Sequence, residues 1–184
     1  MDDREVFADL LNILGANVRE MVEGLSPEEL AWRPDALGNS VGVTVWHFAR
    51  WLDVLTARVL ADGPVSAERW HADGWAARTG YDPTGTGYKG LGVVTGYTAE
   101  DVDAIPNLPG ADLLAYLDQT IADLRTAILA HPPGGLSTPV PGIGAPRSVY
   151  AAVKPILFGS IGHAGEIAAL NGLRERAAVG SVAG

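Results

Sequence analysis

Two histidines sit inside apolar stretches of this chain, His47 in SVGVTVWHFARWLDVLTARVL and His163 in LFGSIGHAGEIAALNGL. An imidazole without a polar partner is costly to bury, so the pair points to a polar site between two helices. Glu166 follows His163 by three positions, and on a helix that spacing turns both side chains into the same space. His47, His163 and Glu166 form the candidate catalytic set. Two imidazoles and a carboxylate can hold a divalent ion with open positions, or they can move protons without one. A plain His163–Glu166 hydrogen bond, or a Glu166–Arg50 ion pair, satisfies the same pattern with no chemistry.

The neighbours of these residues on the helix surface define a candidate binding shell. His47 shares its face with Val43, Thr44, Arg50, Trp51, Val54 and Arg58, and His163 shares its face with Ile156, Gly159, Ser160, Glu166, Ile167 and Leu170. Arg50 is spaced for an intrahelical pair with Asp53; near the His47 face it could instead anchor a substrate carboxylate. Asn17 falls on an apolar stripe and is expected to face inward, either bonded to a carbonyl or lining a pocket. The candidate substrate-binding residues are therefore Asn17, Arg50, Trp51, Gly159 and Ser160. His71 and His131 lie in loop sequence and read as solvated.

The elements that must position these groups are helical. A capping-box start at Asp2 and Glu5 opens helix one, expected from about Asp3 to Glu23, with Val6, Leu10, Ile13, Leu14, Asn17 and Met21 as its inward stripe. Helix two, from about Ser40 to Ala61, is apolar nearly all round and reads as a central element. Helix three spans about Ala111 to Ala130 on a stripe of Leu114, Leu117, Ile121, Leu124 and Ile128. Helix four runs from about Ser148 to Arg176, with a kink or break expected at Pro155. Short capped helices are expected at SPEEL (26–30) and TAEDV (98–102), a Pro- and Gly-dense loop at 131–146, and no strand pair. Residues 62–110 are too long for a plain connection and read as an ordered crossover, a candidate lid over one end. The chain of 184 residues reads as a single domain, all-α, with four principal helices.

Composition narrows the function classes. A formal charge of -9 argues against nucleic acid or an anionic membrane surface as the main partner. No apolar run is long enough to span a bilayer, and the acidic start lacks the features of a signal peptide, so a cytoplasmic location is expected. The absence of cysteine removes thiolate metal sites and a Cys nucleophile. Gly85, Gly87 and Gly90 match a dinucleotide-binding pattern, but no strand precedes them and no amphipathic helix follows, so the match is accidental.

At VWHFARWLD and HAGEIAALNGL the chain resembles the DinB-like superfamily, which includes the N-terminal domain of mycothiol-dependent maleylpyruvate isomerase. The resemblance covers roughly Asp3 to Arg176. It implies an up-up-down-down four-helix bundle with a long crossover between helices two and three, and by analogy a homodimer. It also implies a three-residue metal site, in which His47 matches the helix-two ligand and His163 the last helix-four ligand. The position four before His163 is Gly159, so the triad is incomplete unless Glu166 replaces the missing ligand. The expected activity is that of a small-molecule enzyme, transferring a thiol or isomerising an activated organic acid. Its implied cofactors are a divalent Zn, Ni or Fe ion and a low-molecular-weight thiol such as mycothiol. The alternative is a metal-free protein with no cofactor, binding a small apolar or aromatic ligand in the space opened by Gly159.

Overall fold

The computed structural model describes residues 2–143 and 145–182. Four long helices carry the core: α1 (Asp3–Val22), α3 (Val41–Val54, continued by a π-helical turn over Leu55–Leu60), α7 (Gly110–Leu129) and α8 (Val149–Val182). The short helix α2 (Pro27–Ala31) lies before α3, and α4 (Arg69–Ala72), α5 (Trp75–Thr79) and α6 (Ala99–Asp103) punctuate the crossover. Helix α7 packs on α1 and α3, and α8 packs on the same two, so the four close into a ring around one apolar core. No described helix is long and apolar enough to cross a membrane.

Local chemistry accounts for the helix starts. Asp2 and Glu5 form a reciprocal capping box at α1, Ser26 and Glu29 form another at α2, and the Ser40 hydroxyl accepts from the Val43 amide at α3. The apolar stripe of α7 is buried as its spacing predicts. In α1 the inward face is shifted from the expected one: Ala8, Leu11, Leu14, Gly15, Val18 and Val22 are buried, while Val6 and Ile13 are 41% and 48% exposed. Two stripes compete in this helix and share Leu14. The one containing Gly15 wins because a Cβ there would stand 2.8 Å from Ile121 Cδ1, so glycine permits close approach of α7. Asn17 is carried to the exposed side and is no pocket residue.

Of the kink or break expected at Pro155, the break is absent: helix α8 runs through it, and the proline falls near the helix start, where only the Ala151 carbonyl loses a helical partner. The expectation of no strand pair is corrected: Pro139–Val140 (β1), in the Pro- and Gly-dense loop, and Arg147–Ser148 (β2), just after it, pair as a minimal antiparallel ladder.

The crossover is bound to the bundle by a buried ionic cluster on α3. Arg50 is fully buried; its Nη2 donates to Glu68 Oε2 at 2.7 Å and its Nη1 to Asp53 Oδ2 at 3.1 Å. Asp53 also accepts from the Tyr116 hydroxyl at 2.7 Å and from the backbone amides of Arg69 and Trp70 at 2.7 and 3.0 Å, which holds the start of α4. Trp70 then stacks edge-on to Trp46 and Tyr116 at 5.4 and 5.3 Å and donates its indole N–H to the Tyr81 carbonyl. His71, read from sequence as solvated, is partly covered beside Glu68 and Asp82.

Removing one member of such a cluster strands opposite charges out of water. Arg50→Ala is expected to cost about 3–5 kcal/mol of unfolding free energy, measured by urea denaturation. A loss below about 1 kcal/mol, in the range of an exposed pair, would contradict this assignment.

Candidate functional site

His47, on the second turn of α3, and His163, midway along α8, meet across the helix interface with ring centroids 4.5 Å apart and planes at 82°. Both line a cleft of about 240 Å³, together with Trp51, Ile156, Gly159 and Ser160. Three of the candidate binding residues, Trp51, Gly159 and Ser160, therefore stand where their spacing placed them. Ser160 is buried and donates its hydroxyl proton to the Ile156 carbonyl at 2.7 Å. A Cβ at Gly159 would touch nothing within 4 Å, so the absent side chain leaves open cleft.

Each imidazole is oriented through Nδ1. His47 Nδ1 bonds the Val93 carbonyl, and because a carbonyl only accepts, the ring proton is on Nδ1. Burial, reinforced by the facing His163, pushes the His47 imidazole down to about 4. It is thus neutral at pH 7, with Nε2 an unprotonated acceptor. His163 Nδ1 donates to Glu166 Oε2 at 2.9 Å. The His163 hydrogen bond in turn holds the Glu166 carboxyl below its usual range, against the opposing effect of burial. The Thr44 hydroxyl lies 3.4 Å from Glu166 Oε1 and 3.0 Å from the Ser40 carbonyl, one O–H shared between two acceptors. The nearby Asn39 side chain also favours the charged Glu166 carboxylate.

Arg50 does not serve this cleft. Its guanidinium points into the crossover, where Nε donates to the Gly92 carbonyl at 3.1 Å and Nη2 reaches the Leu91 carbonyl at 3.4 Å. The reading of Arg50 as a substrate anchor is corrected by its burial and its full set of protein partners. The intrahelical pair with Asp53 is present. Arg50 and His47 between them hold three successive carbonyls, of Leu91, Gly92 and Val93, and this strap forms one side of the site. Gly92 has φ +66° and its missing Cβ would stand 2.6 Å from Pro83, so only glycine fits. Val94 follows at φ +68°, a conformation that costs an L-residue roughly 1–2 kcal/mol. Such strain persists where surrounding contacts overdetermine it.

The residues that sequence reasoning missed are Val93, Asn39 and Thr95, which also lines the cleft. Val93 acts through its backbone and Asn39 lies just outside a helix cap, so neither carries a local signal. Thr44 was placed on the His47 face, and its role toward Glu166 emerges only from the packing of α8.

The donors at this site do not complete the three-residue metal site that the resemblance implies. Two imidazoles are present, Glu166 is engaged on His163 Nδ1, and position 159 has no side chain. Among the described residues no group of three or more His, Cys, Asp or Glu side chains is arranged to hold an ion. The described donors fall one protein ligand short of that triad.

Two outcomes are expected. Since His47 is depressed in the folded protein and ordinary in the unfolded chain, the unfolded state binds more protons between about pH 6.5 and 4, and stability falls as pH falls through that window. Its share is up to about 2 kcal/mol between pH 7 and pH 5. Urea midpoints at the two pH values should show it, and His47→Gln should abolish it; an unchanged pH dependence in the variant would refute the assignment. Separately, Gly159→His restores a ligand one turn from His163 and should tighten zinc binding by about tenfold or more in calorimetry. Equal affinity in both proteins would show that position 159 is not what limits the donor set.

Comparison with known proteins agrees with this architecture. No match is found among curated protein sequences. The fold is similar to the crystal structure of a conserved protein from Enterococcus faecalis, at a TM-score of 0.77 and 18% identity over 94% of this chain and 97% of that one. The family profile described as the DinB superfamily matches residues 10–167, which takes in both histidine helices and the crossover strap between them. The chain belongs to the DinB superfamily.

Proposed function

We propose that this protein is a small-molecule enzyme that moves protons in the cleft between α3 and α8, isomerising an activated organic acid or adding a low-molecular-weight thiol to an electrophile. The observation that carries the reading is the pair of facing imidazoles, each fixed through Nδ1, with Nε2 the nitrogen left to each. In this mechanism His163 Nε2 takes a proton from a substrate C–H or a thiol S–H. The Glu166 carboxylate on Nδ1 holds the imidazole in orientation and offsets the charge it gains. His163 then returns that proton to the carbon where the rearranged or alkylated product needs it. Neutral His47 accepts a hydrogen bond from a substrate donor and adds no second positive charge beside His163. The thiol, where one is used, comes from outside, since the chain has no cysteine; mycothiol is the candidate by family resemblance. The ring of α1, α7, α3 and α8 supports reading the scaffold as the up-up-down-down four-helix bundle of that resemblance.

The open space at Gly159 favours a second reading, a metal-free binding protein for a small apolar or aromatic ligand. A panel of cis-unsaturated keto acids and electrophiles, followed by proton NMR in deuterated buffer with and without thiol, separates the two. The enzyme reading predicts turnover that falls by about 10²–10⁴ in His163→Ala while the melting temperature holds. No turnover across the panel, with ligand affinity that survives His163→Ala and is lost in Gly159→Leu, would overturn it in favour of binding.

A further inference from the structure

The histidine cleft has a neighbour. A second cavity of about 270 Å³ lies along α8 on the side toward its N-terminus. Its apolar floor is made by Leu55 and Val59 of the π-helical turn and by Ala152. Trp51, Pro155 and Ile156 line this cavity and the histidine cleft alike. The two spaces thus adjoin across these three side chains. From Ala152 to His163 the groove that they make up together follows eleven residues of α8, roughly 16 Å at the helical rise.

One charged side chain lines the apolar compartment, Arg147 of β2. Seven other arginines are engaged in ion pairs: Arg4, Arg19, Arg33, Arg50, Arg58, Arg69 and Arg174. Arg78 lies over the Trp75 ring and Arg125 bonds the Ala8 carbonyl. Arg147 is exposed, and among the described residues no carboxylate pairs with it, although acids outnumber bases 22 to 13. Lys89 adds a second cation close by, its Nζ donating to the carbonyl of Ile143, a wall residue of the same compartment. In so acidic a protein, an unpaired guanidinium at the mouth of an apolar cavity is complementary to an anion that carries an apolar body.

We propose that the groove binds an amphipathic organic carboxylate end to end, its carboxylate on Arg147, its apolar body against Trp51, Leu55 and Ile156, and its reacting end at His47 and His163. This assignment rests on the histidine cleft being the reacting end, and it names the substrate class for that chemistry. It also gives the π-helical turn a purpose, since Leu55 and Val59 sit on it at the floor of the carboxylate-bearing compartment. π-turns of this kind recur at functional sites.

The test is calorimetric titration of the full chain with octanoate, and with octan-1-ol as the uncharged match, below the self-association limit of each. Octanoate is expected to bind one to one, and octan-1-ol at least tenfold more weakly. Arg147→Ala should lower octanoate affinity to the alcohol's level while leaving the alcohol unchanged, and Arg147→Lys should recover part of the loss. Ile156→Trp, which narrows the shared wall, should weaken both probes. His163→Ala should leave octanoate affinity within about threefold, since the probe's charge sits at the other end. No octanoate binding, or equal binding by wild type and Arg147→Ala, overturns the assignment. So does octanoate binding that is lost in His163→Ala and kept in Arg147→Ala. None of these results bears on turnover, so loss of the carboxylate subsite and loss of the proton-transfer reading are separately visible.

Discussion

The structure depends on two polar side chains of a largely apolar helix reaching outward to hold a loop. Arg50 and His47 lie nearly one turn apart on α3 and bind the carbonyls of Leu91, Gly92 and Val93 in succession. A crossover with no sheet to join has three buried backbone acceptors at this point, and buried acceptors must be satisfied. Arg50 can be buried there only because Asp53 and Glu68 neutralise it and Tyr116 completes its hydrogen bonds. The same cluster starts α4 through the Asp53 carboxylate and seats Trp70 in the core. The strap therefore comes ready-made with the bundle, even at the expense of a strained Val94.

That constraint sets the chemistry of the site. By donating its Nδ1 proton in a hydrogen bond to the Val93 carbonyl, His47 is fixed in one tautomer, and its burial keeps it neutral. His163 gives its Nδ1 proton to Glu166 and remains partly exposed on the cleft side. The two imidazoles are similar in sequence surroundings and different in environment, one against a carbonyl in the core, the other against a carboxylate at the rim. Distinct environments are how two like groups come to play distinct parts in proton transfer.

Much of this was readable in the chain, for physical reasons that can be named. Helical periodicity located α3, α7 and α8, and buried histidines advertised a site because an imidazole in an apolar run requires a partner. The i, i+3 spacing brought Glu166 to His163, as the 2.9 Å contact bears out. Asn17 misled because α1 offers two overlapping stripes, and the choice between them was made by Gly15 against Ile121, a contact between helices far apart in sequence. Arg50 pairs with Asp53 as its spacing indicated, and its alternative as a substrate anchor failed because its length carries the guanidinium past the cleft into the crossover. The strap itself was invisible: backbone carbonyls have no residue type, and nothing local in LGVV says that it will lie across His47.

The crossover strap fixes His47 as a neutral imidazole carrying its proton on Nδ1. The direct measurement is the ¹⁵N NMR spectrum of the imidazole nitrogens at pH 7, with His47 assigned through His47→Gln. A protonated Nδ1 and an unprotonated Nε2 are expected for His47; a cationic ring, or a proton on Nε2 with Nδ1 bare, would overturn this assignment.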